Sequence, residues 1–336
     1  MNTLEEVNKK VNKEFPNLVL QGESLIKYNL PRIPTGLFIF DLLTGGGILK
    51  NKYIKFWGPK ASSKTVFALI CAGSYQRLNP ERYVLLIDYE NAFEPDIASL
   101  VMDVNRLILV QPEYAEQGIE LHKYYLQAQE VGFVIVDSLG YMTPLNMAEA
   151  EATKDHVGDL TKVVNKMFRQ CDLIIRNALK NGRDITTILI SQVRANIGGA
   201  MFAGDSVAGG KLSEHMPSME VKFYSDLNKK KTKNNYKFTV VKNRGGVQRV
   251  SGAYSVIVKD SEGLKRGDID QVKTVLTYAK RVGVLEQSKT KLVFEGNSFP
   301  VEELIGNKAL FNQVKDATLD YYLTNNVSMD EEDTTK

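Results

Sequence analysis

With 336 residues, 43% apolar side chains and a formal net charge of +3, the chain can build one large α/β core with smaller attachments, and its charge neither demands nor excludes nucleic acid. No run reaches the roughly 18 apolar residues of a membrane span, and Cys71 and Cys171, in separate helical stretches, suggest neither a disulfide framework nor a zinc cluster. His122, His156 and His215 lack ligand spacing and read as solvated or capping side chains.

The first residues, Met1 to Glu6, lack a secretory signal's basic start and apolar core, so a cytosol-like compartment is expected. Residues 2–15 read as a helix with Leu4, Val7, Val11 and Phe15 on one stripe, ended by Pro16. That stripe is to be buried on its own domain or on a neighbouring subunit. Pro34-Thr35-Gly36 and Gly45-Gly46-Gly47 mark turns around a short helix over 37–43.

The β-rich run 53–57 then enters Gly58-Pro59-Lys60-Ala61-Ser62-Ser63-Lys64-Thr65, followed by an apolar helical run. A strand, a turn with inward-facing N–H groups and a helix N-terminus are what a phosphate cradle needs, so nucleoside triphosphate binding is expected. Lys64 is placed to reach the β- and γ-phosphates and Thr65 to offer a hydroxyl to magnesium. Ser63 stands where G-x-x-x-x-G-K-[ST] has glycine and must take the backbone geometry glycine usually provides. Taken alone, the segment also fits a serine-rich turn capping a helix.

Downstream, β-rich runs at 83–88, 107–111, 133–137 and 186–191 alternate with helical stretches from 95, over 116–130 and over 158–179. This predicts a mostly parallel sheet with helices on both faces. Asp137 ends one strand, as a magnesium-shell carboxylate or as a turn cap beside Ser138. Glu90 follows another, as a water-orienting base or as a solvated loop carboxylate. Runs at 219–224, 236–241 and 254–258 suggest an antiparallel extension, 268–282 a helix, and 284–299 a small β element. The segment 194–211, with Gly198, Gly199, Gly204, Gly209 and Gly210, is too poor in large side chains to be packed core. Lys229-Lys230-Lys231 and Lys233 form a basic loop, and Asp330 to Asp333 an acidic tail.

In order and spacing over roughly residues 25–260, the chain resembles bacterial RecA recombinases and their bacteriophage relatives of the UvsX type. The matching segments are Pro34-Thr35-Gly36, the loop from Gly58 to Thr65, Ile87-Asp88-Tyr89-Glu90-Asn91-Ala92, Val134-Ile135-Val136-Asp137-Ser138, Ile190-Ser191-Gln192-Val193-Arg194, Gly209-Gly210-Lys211 and Val241-Lys242-Asn243-Arg244. The resemblance implies a RecA-type core with an N-terminal polymerisation helix. It makes Glu90 the catalytic glutamate, Gln192 the γ-phosphate sensor, and Lys242 and Arg244 cations that reach a neighbour's ATP. It also makes 194–211 the principal DNA loop, with Arg194 and Lys211 on phosphates, Ile197 wedged between bases, and Gly209 and Gly210 allowing close backbone approach. A second DNA loop corresponds to 143–159, with Asn146, Met147, Lys154 and His156. Ile97 falls where the family packs an aromatic residue on adenine.

The expected organisation is a helix and linker over 1–33, an ATPase core over 34–265, a small C-terminal subdomain over 266–325 and an acidic tail over 326–336. The expected activity is DNA-dependent ATP hydrolysis, with ATP and Mg2+, by a helical homo-oligomer on single-stranded DNA that pairs and exchanges strands with homologous duplex. A single-strand-binding protein and a loading mediator are candidate partners. The rivals are a hexameric helicase-like motor of the same fold and a non-hydrolysing, ATP-gated DNA scaffold, which Ser63 favours.

Overall fold

A computed structural model describes residues 3–14, 30–148, 158–194, 206–207, 210–225, 232–260, 263–288, 290–325 and 327. Phe15, Lys154, His156, Ile197, Gly209, Lys229 to Lys231 and the acidic tail lie outside the described residues, as do the side chains of Arg194, Ser206 and Val207. The chain runs through α1 (Leu4–Glu14), β1 (Arg32–Ile33), α2 (Phe38–Thr44), β2 (Ile48–Leu49), β3 (Tyr53–Gly58), α3 (Lys64–Leu78), β4 (Tyr83–Asp88) and α4 (Pro95–Val101). It continues with β5 (Leu107–Val110), α5 (Ala115–Gln127), β6 (Val131–Asp137), α6 (Leu145–Ala148), α7 (Asp159–Lys180), β7 (Thr186–Arg194), β8 (Ser206–Val207), α8 (Gly210–His215) and β9 (Met219–Ser225). After these come β10 (Lys233–Asn243), β11 (Val250–Ile257), β12 (Ile269–Asp270), α9 (Val272–Arg281), β13 (Glu286–Ser288), β14 (Lys291–Phe294), β15 (Asn297–Pro300), α10 (Val301–Gly306) and α11 (Lys308–Thr324).

The large sheet has the order β12-β11-β10-β9-β3-β7-β6-β4-β5, with β8 paired to β7. From β5 to β9 all neighbours are parallel, and β10, β11 and β12 are added antiparallel. The strands are apolar on both sides because both sides are covered: every residue of β6 is buried. Alternation sends Ile54, Phe56, Phe133 and Ile135 into one cluster with α2 and α3, and Tyr53, Val134, Val136 and Leu189 into another with α5 and α7.

β9, β10 and β11 form the expected antiparallel extension, joined to the core by the parallel pairing of β9 with β3; β9 is reached from β7 by a connection containing α8, and such crossovers return a chain in the same direction. Two expectations need correction. Ile269 and Asp270 extend the sheet beside β11, so the helix starts at Val272. His122 is neither solvated nor capping: only 1% exposed, it sits in α5 with Nδ1 3.4 Å from the Cys171 sulfur.

The turn at Pro34-Thr35-Gly36 closes on Asp41 of α2, whose buried carboxylate accepts from Thr35 N (2.9 Å), Thr35 Oγ1 (2.7 Å) and Gly36 N (2.9 Å). Ser74 Oγ of α3 donates to Pro34 O at 2.7 Å and ties the turn to the helix behind the phosphate loop. The C-terminal elements share this core: Val275, Tyr278, Leu304, Val314 and Tyr322 join the same apolar cluster as Phe38 and Phe40. By contrast α1 buries no residue, with Leu4 68% and Val7 42% exposed, so its apolar stripe finds no cover among the described residues of its own subunit.

Candidate functional site

β3 delivers Gly58 to the end of the sheet, level with Gln192 of the adjacent β7. A side chain at Gly58 would put its Cβ 2.3 Å from the carbonyl oxygen of Phe223 on β9, so only glycine lets β3 and β9 approach there. Ala61 and Ser63 both adopt left-handed backbone, at φ 59° and 64°. Ser63 is the N-cap of α3 but its hydroxyl caps nothing in the helix; it is hydrogen-bonded to the Tyr254 hydroxyl of β11. Pro59, Lys60 and Ala61 form an exposed rim around buried Ser62 and Lys64. The Lys64 ammonium donates to Pro59 O (2.6 Å), Gly58 O (3.2 Å) and Ser62 Oγ (3.3 Å), in the hollow of the loop. Burial lowers its pKa, while Asp137 and Glu90 oppose that.

Beside the loop, β4 and β6 bring Asp88 and Asp137 level at their ends. Thr65 Oγ1 donates to Asp137 Oδ2 at 2.6 Å. Burial pushes the Asp137 carboxyl up to about 7, against the Thr65 hydrogen bond, and nearby Glu90 and Asp88 add to the rise. Asp88 braces the following loop by accepting from the N–H groups of Glu90 (3.1 Å), Ala92 (2.9 Å) and Phe93 (3.0 Å), and from Gln111 Nε2 at 3.2 Å. The loop so held presents Glu90, whose Oε1 accepts from both Ser138 Oγ and Gln192 Nε2 at 2.7 Å.

Five residues expected from sequence, Lys64, Thr65, Glu90, Asp137 and Gln192, therefore meet at one end of the sheet. The donor set suits magnesium with a phosphorylated ligand. Among the described residues no three His, Cys, Asp or Glu side chains gather to hold a metal alone, and a hydroxyl backed by a carboxylate is the partial shell that phosphate oxygens complete.

Lys242 and Arg244 are not brought to this end. β10 runs antiparallel to β9, so Lys242 lies opposite Glu220, which lies beside Lys55, three residues before Gly58 on β3; Arg244 is farther still. At about 3.3 Å per residue this places Lys242 two strands across and roughly 10 Å down the sheet from its own loop. Within its subunit Lys242 Nζ donates to Glu214 O (3.2 Å) and His215 O (3.3 Å) and lies 3.7 Å from Glu220 Oε1. Lys55, 1% exposed, donates to Ser213 O at 3.3 Å, so two lysines hold the last carbonyls of α8. The Arg244 side chain is exposed.

The glycine-rich segment leaves β7 two residues after Gln192, and its base is closed by pairing of Val193 with Val207 and Arg194 with Ser206. Gly210 starts α8 at φ 68°, where a Cβ would come within 2.6 Å of Thr161 Cγ2, and Lys211 is exposed. In the second expected loop Met147 is exposed and Asn146 Nδ2 donates to Asp159 at 3.0 Å. Lys233, at the end of the basic loop, pairs with Asp270 at 2.7 Å, and Ile97 is half-buried on α4.

Sequence reasoning did not assign working roles to Asp88, Ser138, Lys55 or Tyr254. Asp88 and Ser138 lie inside matched segments and had a signal; Lys55 and Tyr254 acquire partners only through long-range register.

The profile described as the RecA N-terminal domain matches residues 2–257. Protein RecA of Bifidobacterium breve is 27% identical over 274 residues, 80% of this chain and 67% of that one. Protein RecA of Francisella tularensis subsp. tularensis (strain WY96-3418) is 24% identical over 341 residues, 97% of this chain and 90% of that one. The crystal structure of the RadB recombinase superposes with a TM-score of 0.51 at 20% identity, covering 70% of this chain and 98% of that one, which speaks for the fold. With the profile spanning most of its length and the phosphate loop, acidic strand ends and paired glutamate and glutamine in place, the chain belongs to the RecA family.

Proposed function

We propose that the chain is an ATP-dependent recombinase that assembles as a filament on single-stranded DNA and promotes pairing and strand exchange with a homologous duplex. The bond between Gln192 and Glu90 carries this reading: it joins the base beside the phosphate loop to the root of the glycine-rich DNA segment.

In this reading Glu90 accepts a proton from attacking water. Gln192, a neutral amide, trades its bond to Glu90 for one to a γ-phosphate oxygen and so reports nucleotide state to Arg194 and the segment beyond. Lys64 binds the β- and γ-phosphates, and Thr65 and Asp137 hold magnesium, whose contribution is to neutralise charge on the phosphate oxygens. Lys242 and Arg244, distant from their own loop, serve the neighbouring subunit's.

The test is phosphate release with and without single-stranded DNA, beside electron micrographs with ATP and an exchange assay with homologous duplex. DNA-stimulated release, helical filaments and exchanged strands are expected. Rings would favour the helicase-like motor. ATP-dependent DNA binding without phosphate release would favour the scaffold that Ser63 suggests.

A further inference from the structure

Arg32 of β1 is half-buried, and its guanidinium reaches the turn that follows β10. Nη1 donates to Gly47 O and Nη2 to Asn243 Oδ1, both at 3.0 Å. Among the described residues no carboxylate pairs with it, and burial alone lowers its pKa. A cation taken partly out of water without an ion pair carries a desolvation cost, and bonds from a charged donor are roughly twice as strong as neutral ones. The arginine therefore grips neutral acceptors firmly, and one of them lies between Lys242 and Arg244.

Asn243, with none of its surface exposed, ends β10 and organises the turn. Its Oδ1 takes the bond from Arg32, while Nδ2 donates to Val247 O at 3.1 Å and Thr44 O at 3.3 Å. Its backbone carbonyl accepts from Gly246 N and Gln248 Nε2, each at 3.3 Å. The turn is seated directly on Arg32: a Cβ on Gly246 would come within 2.8 Å of Nη2. Lys242 is held separately, by the last carbonyls of α8. Arg244 has only its backbone N–H anchored, to Ser218 O at 3.0 Å, and among the described residues its exposed side chain has no bond. Where that side chain points is thus set by the backbone of the turn.

We propose that Arg32 is a positioning residue for Arg244: by clamping Asn243 it fixes the turn that aims Arg244 at the neighbouring subunit's phosphates. The proposal rests on the reading that Arg244 acts across the interface. Arg32 acts through the turn and not on the nucleotide.

The test is DNA-stimulated phosphate release by full-length Arg32→Met, alone and mixed with other variants, with folding followed by urea melts and assembly by sedimentation. Methionine keeps the length of the stem and removes both bonds. Release is expected to fall by about a hundredfold, the scale of a misplacement of roughly 1 Å, and within the roughly thousandfold that a finger-type cation supplies. Arg32→Met should recover activity when mixed with Lys64→Ala, which brings an intact Arg244, and should recover none with Arg244→Ala. Joined to Arg244→Ala in one chain it should add no further loss. A merely structural role would produce neither the one-sided rescue nor the missing additivity. Parent-like release by Arg32→Met, rescue by Arg244→Ala, or a double variant slower than Arg244→Ala overturns the proposal. Should Arg32→Met fail to fold or assemble, Arg32→Lys decides by the same three readings, because one ammonium cannot reproduce the fork that spans Gly47 and Asn243. Arg244→Ala mixed with Lys64→Ala is the control: no recovery there overturns action across the interface, and this proposal with it, whereas recovery there without the Arg32 pattern overturns this proposal alone.

Discussion

Glu90 receives two hydrogen bonds on Oε1, from Ser138 and Gln192, and a glutamine in its place can still accept both. Glu90→Gln is therefore expected to keep nucleotide and DNA affinity while phosphate release falls about a hundredfold or more, the scale of a lost general base; unchanged turnover would remove Glu90 from the mechanism. A different residue contributes to acid sensitivity. Burial lowers the His122 pKa from 6.5 to about 4, so the folded imidazole stays neutral where the unfolded one already binds a proton. Its contribution to stability is thus complete above pH 6.5 and is lost as pH falls through about 4, by up to about 3 kcal/mol. Urea melts at pH 7 and pH 5 should show a smaller difference for His122→Leu than for the parent; equal differences would mean that His122 is not the group responsible. The site was legible where chemistry lies in short motifs, as at Lys64, Glu90 and Gln192. The Ser63 bond to Tyr254 was not, because it depends on how β11 is carried back over α3.

At the scale of elements, β7 links the candidate sensor to the base of the glycine-rich segment, and α8 closes that segment with Lys211 exposed. Replacing Arg194 and Lys211 together by alanine should weaken single-strand affinity and flatten its salt dependence by roughly one phosphate per lost cation. Titrations at several salt concentrations check this, and a slope equal to the parent's would place the DNA elsewhere. The strands of the parallel core could be read from their apolar runs, because burial on both faces leaves such runs uninterrupted. Strand direction could not be read for β9: its alternation is the same whichever way it runs, and only the crossover through α8 decides. α10 and α11 were missed although Leu310, Phe311, Val314 and Ala317 fall at helical spacing and pack on the core.

For the whole molecule, Lys242 and Arg244 lie away from their own phosphate loop, and the proposal that they serve a neighbour's loop implies that activity is a property of the assembly. Arg244→Ala and Lys64→Ala chains should each lose DNA-stimulated hydrolysis, since a finger-type cation can be worth about a thousandfold or more. Mixing them should restore part of it, because some interfaces pair an intact loop with an intact neighbouring cation. Phosphate release from each chain and from the mixture, with assembly followed by sedimentation, checks this; no recovery in mixtures that do assemble would argue that the cations act elsewhere. The position of β3 bears also on how the chain comes to be folded. It carries the phosphate loop, yet its neighbours are β7 and β9, both made much later. A ribosome-bound chain must therefore hold an apolar strand with no sheet partner until β7 has emerged and with one side unpaired until β9 has followed, and such unpaired strands are what sticks to other nascent chains. The nucleotide cradle is thus synthesised well before the two strands that flank it.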